Sequence, residues 1–209
     1  ARDNYHTILI AKNYDGIKEL LKAVSVSCQD DHFYYTNRMT FDEFFKLSSN
    51  VIKISACLAS PLNKLPISHP LYEKLVKHYD YLEIQPTGNN QFMIYSDRIK
   101  NVNSVEDIQA INKRIVELGE EFNKPVVATC DVHFLDPEDE VYRRILMAGK
   151  GFKGCTVTVF ALSYMNWCSA QLITHCIDTF FGKYKHTHRA VDNLLSIFNT
   201  LNNIFLLIN

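Results

Sequence analysis

Four times along the chain a short apolar run rich in β-branched residues is followed by a stretch whose apolar residues recur at helical spacing. "HTILIAK" (6–12) precedes "NYDGIKELLKAVSVS", where Ile17, Leu20, Leu21 and Val24 share one helical face. "NVIKISACLA" (50–59) precedes "HPLYEKLVKHY", which carries a proline at its first turn. "DYLEIQPT" (80–87) precedes "SVEDIQAINKRIVELGEEF", where Ser104 and Asp107 form an approximate capping box ahead of Ile108, Ile111, Ile115 and Leu118. "KPVVATCDVHF" supplies a fourth strand, and "DPEDEVYRRILMAG" a helix with Pro137 and acids at its positive end. Such alternation predicts an α/β fold with a parallel sheet or barrel. The stretch 86–103 between the third strand and its helix has room for a small β-hairpin.

In parallel α/β architectures the functional residues collect at the carboxyl ends of the strands, where loops converge and helix amino termini point inward. Asp131 and His133 end the fourth strand, Cys57 ends the second, Glu83 lies in the third and His6 opens the first. Side chains two apart on a strand share a face, so Asp131 and His133 can reach one ion. Carboxylate with imidazole suits zinc, manganese or iron, and a thiolate from Cys57 favours zinc. Each residue also has a plainer role: Asp131 as a helix N-cap or loop carboxylate, His133 as a surface residue, Cys57 as a small core hydrophobe and His6 as a half-buried histidine bonded to backbone. Cys130 points to the opposite face. "KHTH" (185–188) lies in a polar segment, and Cys168, His175 and Cys176 are too loosely spaced for a closed zinc site.

Bulk properties exclude several classes. With 209 residues, 47% hydrophobic and 22% charged, the chain can bury a substantial core. A net charge of -1 carries no basic excess, so any contact with DNA must come from a local patch or from other parts of a larger protein. The six cysteines are scattered without CxxC spacing, consistent with a reducing cytoplasm, and no apolar run approaches the roughly 18 residues of a membrane span. No P-loop, GxGxxG or GxSxG motif is present. The opening "ARDNYHTILIAKN", without Met and almost inside a strand, reads as a piece of something longer. After Phe152 acids become rare and the alternation stops, so residues 153–209 are expected to form a divergent, mainly helical tail.

The blocks "YHTILIAKNYDGIKELLKAVSVS", "ISACLA", "HYDYLEIQPTGNNQFMI" and "INKRIVELGEEFNKPVVATCDVHFLDPEDEVYRRILMAGKGF" resemble, in order, the PHP domain of PolC-type bacterial DNA polymerase III alpha subunits. The resemblance covers residues 5–152 and implies a partial PHP-type β/α barrel of about four strand-helix units, the part that follows the family's exonuclease insertion. It implies a divalent metal, zinc or manganese, with ligands at His6, Cys57, Asp131 and His133, and no catalytic residue of its own. Partners would be the rest of the polymerase chain, namely the exonuclease insertion and the palm, and DNA through the full-length protein. "LASPLNKLP" departs from the acids and glycine usual after the "SAC" block, and the tail departs after Phe152. An autonomous metal-dependent phosphoesterase and a non-catalytic scaffold are the alternative readings.

Overall fold

A computed structural model of the chain describes residues 4–33, 35–96, 99, 101–129 and 137–149. They fall into two compact units that divide between Leu82 and Glu83.

In the first unit β1 (Ile8–Ala11) leads into α1 (Tyr14–Ser27). The helix starts where Asn13, in extended conformation, accepts a hydrogen bond from the Gly16 amide. A Cβ on Gly16 would collide with the carbonyl of Asn50, so only glycine lets the helix approach this closely. Helix α2 (Phe41–Lys46) opens with a full capping box between Thr40 and Glu43. Strand β2 (Val51–Ile54) is buried along its whole length. Two helices follow: α3 (Pro61–Lys64), capped by Ser60 with proline at N1, and α4 (Tyr72–His78), which buries Tyr72, Leu75 and Val76.

Strand β1 pairs with β2 antiparallel, Ile8 opposite Ile54 and Ala11 opposite Val51, which departs from the expected all-parallel order. The reason lies in residues 28–50. Helix α1 starts beside Asn50 and runs about 21 Å away at 1.5 Å per residue. The chain then returns alongside α1, where the Glu19 carboxylate accepts from the Ser48 amide and hydroxyl at 2.8 and 2.6 Å. β2 therefore begins at the end of β1 where α1 began. After β2, α3 and α4 carry the chain back to an isolated parallel bridge between Ile54 and Tyr81, and the Ser55 amide donates to the Tyr81 carbonyl. Lys53, 5% exposed, sits in this core with its ammonium on the carbonyls of Ser48 and Val51 and 3.3 Å from the Asp80 carboxylate.

The second unit holds the end of β3 (Leu82–Ile84), α5 (Val105–Glu121), β4 (Val126–Ala128) and α6 (Glu140–Gly149). β3 and β4 are sheet neighbours, and Thr129 donates to the Ile84 carbonyl. α5 has the expected Ser104–Asp107 capping box and buries Ile108, Ile115 and Leu118 of the expected face, together with Asn112. In place of a hairpin within 86–103, Thr87–Met93 winds into a 3-10 helix. Pro86, with its φ near -53°, starts it, and its carbonyl accepts from the Asn89 amide. Among the described residues no helix is long and apolar enough to cross a membrane.

Candidate metal centre

Cys57 follows the fully buried β2 in a tight turn. Ala56 carries a φ of 62°, a left-handed conformation that costs a side-chain-bearing residue roughly 1–2 kcal/mol. The turn is fastened at several points. The Cys57 carbonyl accepts from the Ser60 amide at 2.8 Å and from the Asn63 side chain at 3.3 Å. The "SPLN" sequence thus builds the far wall of the turn: Ser60 caps α3, Pro61 and Leu62 bury themselves, and Asn63 is left facing back.

His6 reaches this turn from the chain before β1. Its amide donates to the Ala59 carbonyl at 3.0 Å. The next residue, Thr7, shares a 2.8 Å hydrogen bond with the hydroxyl of Tyr79. Tyr79 is fully buried, and burial pushes its phenol up to about 12, so the hydroxyl stays neutral and the anchor holds across the physiological range.

Between these supports His6 Nδ1 lies 3.5 Å from Cys57 Sγ, with His6 exposed and Cys57 half-buried. Two donors on one tetrahedral zinc, at about 2.3 Å for sulfur and about 2.0–2.1 Å for nitrogen, stand about 3.6 Å apart. The pair therefore has the separation of two ligands on a shared ion. The same distance allows a thiol–imidazole hydrogen bond. Asp131 and His133 lie outside the described residues, and among the described residues no group of three or more His, Cys, Asp or Glu side chains converges on one point.

The second unit has a polar cluster around Glu83, whose partners the sequence does not indicate. Glu83 is 4% exposed, and its Oε1 accepts from the Thr129 hydroxyl at 2.7 Å and the Gln85 amide at 3.0 Å. Asn112 of α5 donates to the Gln85 carbonyl at 2.7 Å. The signal for it was available: Asn112 interrupts the apolar face of α5, and Glu83 stands in a three-residue strand that is buried throughout.

No family model matches the chain. Among curated proteins, a PolC-type DNA polymerase III of Clostridium perfringens is 44% identical over 151 residues, 71% of this chain and 10% of the relative. The chain is similar to one segment of PolC-type DNA polymerase III. Polymerases of the same name from Halalkalibacterium halodurans and Bacillus subtilis are 36% identical over 151 residues and 34% over 149, each covering 70% of this chain and 10% of the relative. The chain thus spans about a tenth of the length of the PolC-type relatives it matches, and the similarity covers about seven-tenths of this chain.

Proposed function

We propose that residues 1–152 serve as the later part of a metal-binding PHP domain within a PolC-type replicative polymerase of the cytoplasm, forming part of a β/α barrel, with 153–209 as a divergent helical tail. The observation that carries this reading is the 3.5 Å separation of His6 Nδ1 and Cys57 Sγ, held by backbone contacts on both sides. The similarity to a segment of PolC-type polymerases supports it independently.

In this reading His6 and Cys57 hold a zinc or manganese ion together with Asp131 and His133, and further ligands come from the rest of the polymerase. When bound, such an ion lowers the pKa of coordinated water and offsets charge on a phosphate ester. This chain's own part is to orient the donors. The Ala59 carbonyl and the Thr7–Tyr79 bond set the position of His6, while Ser60 and Asn63 set that of Cys57. Nucleotide addition to DNA, the exonuclease insertion and the palm belong to the remainder of the proposed polymerase chain.

Metal content of the purified chain by mass spectrometry tests this, with cobalt substitution as a second readout. Zinc or manganese at partial occupancy is expected, lost in Cys57→Ser and in Asp131→Asn/His133→Ala. Cobalt should give a thiolate charge-transfer band that Cys57→Ser removes. With the ligands from the rest of the polymerase absent the chain alone should bind weakly, so cobalt added in excess is the deciding readout: cobalt bound without a thiolate band, or a band that survives Cys57→Ser, would overturn the reading.

A further inference from the structure

Outside the candidate metal centre, the first unit carries a row of aromatic rings. Tyr5 stacks on Phe41 with ring centres 5.7 Å apart and planes 28° from parallel, and Phe41 continues to Phe45 at 6.4 Å and 26°. Phe41 and Phe45 are four apart on α2, so they lie one above the other on the same face. Phe44, 5% exposed, packs against Tyr79 and His78, and ties the row to the core through Phe45, whose ring lies 5.8 Å from Phe44 and meets His78 edge-on at 5.2 Å. The three rings of the row are only half-buried.

Each end of the row carries an ammonium group. Lys64 Nζ stands 5.9 Å from the centre of Tyr5 and donates to the Asn4 carbonyl, and Lys74 Nζ stands 3.9 Å from the centre of Phe45. Both lysines are exposed, and among the described residues no carboxylate lies within ion-pair distance of either. The nearby acids on the same helices are engaged elsewhere or stand apart: Glu43 with His32 and Thr40, Glu73 with Lys77, while Asp42 faces solvent. The local balance is therefore cationic although the chain as a whole is not.

We propose that this row is a binding platform for single-stranded nucleic acid. Half-buried rings at the two ends of the row, each carrying an ammonium group with no carboxylate partner among the described residues, match the two parts of a nucleotide. A base stacks on a ring, and the displaced ammonium meets the phosphate. An acidic peptide would satisfy the lysines and leave the rings unused, and a duplex keeps its bases stacked inward. The inference rests on these five side chains and is independent of the metal reading.

The test is fluorescence anisotropy of the full chain with a short labelled oligothymidylate, an abasic chain of equal length and an acidic peptide of equal charge, across a salt series. Oligothymidylate should bind at low salt and more tightly than either control. Phe45→Leu, which keeps apolar bulk, should weaken binding about tenfold. Lys74→Gln should reduce the slope of log affinity against log salt by about 0.7, the share of a single phosphate. Circular dichroism melting checks the fold of Phe45→Leu; should that variant be unfolded, the exposed Lys74→Gln decides alone. No binding at low salt, equal binding of the abasic chain or the peptide, or wild-type behaviour of the folded variants would each overturn the proposal.

Discussion

Strand β1 and helix α1 leave Ile8, Tyr14, Leu21 and Val24 at 38, 69, 64 and 58% exposure, whereas β2 and α4 bury Val51, Leu75 and Val76 completely. Both pairs show the same signal in the sequence, a β-branched run followed by apolar residues at helical spacing. Periodicity sets which side chains share a face of a helix; it does not supply the surface that covers them. α1 is instead seated by polar and steric means: the Asn13 cap, the Glu19 carboxylate on Ser48, and the approach of Gly16 to the Asn50 carbonyl. α4 lacks a side-chain cap and is held by burial.

The contrast breaks if truncation costs the two helices equally. Leu75→Ala should lose about 3 kcal/mol in urea unfolding, because it empties a fully buried site, while Leu21→Ala should stay within about 0.5 kcal/mol. Gly16→Ala tests the steric seat of α1 and should cost about 2 kcal/mol, since its Cβ meets backbone that cannot move aside. A Gly16→Ala protein as stable as the parent would mean that packing holds α1 after all. At the end of β2 the expected sign is reversed: Ala56→Gly should raise stability by about 1 kcal/mol by relieving the left-handed backbone, measured as a higher urea midpoint.

The smallest effect concerns how the segment after α1 is tied to α2. His32 has Nδ1 2.7 Å from Asp31 and Nε2 2.8 Å from Glu43, and two carboxylates that only accept require both ring nitrogens to donate. The bond to Asp31 first, and that to Glu43 second, raise the His32 pKa above its ordinary value. The bond to His32 lowers Asp31, and the Thr40 amide leads in lowering Glu43. The histidine's stabilisation is therefore complete below about pH 6.5 and fades as pH rises through its raised folded pKa. That of the carboxylates is present above their ordinary range and fades as pH falls through their lowered values. An NMR titration should find His32 above the ordinary histidine value, and His32→Gln should flatten the stability change in the neutral to mildly alkaline window. A His32 titrating at or below the ordinary value would remove the clasp from the comparison.

The capped helix α5 was legible nearly to the residue, because Ser104, Asp107 and an isoleucine-rich face all specify the same element. His6 and Cys57 were legible as candidates, and the structure brings them together; Asp131 and His133 lie outside the described residues. Helices α2 and α3 escaped the reading because six and four residues are too short for a period to register, although their caps, Thr40 with Glu43 and Ser60 with Pro61, stand in the sequence. Glu83 was visible only as a strand residue, since its partners Gln85 and Thr129 come from two and forty-six positions away.

Local chemistry, carried by neighbours within about one helical turn, thus determined element type, caps and the residue types of the candidate site. Strand direction, burial and the 3.5 Å meeting of His6 with Cys57 were decided by tertiary structure. The physical reason is range. A cap or a period is satisfied by residues three or four apart. The antiparallel turn of β2 against β1, and the contact of two side chains fifty-one residues apart, depend on how residues 28–50 return along α1, which no local pattern encodes.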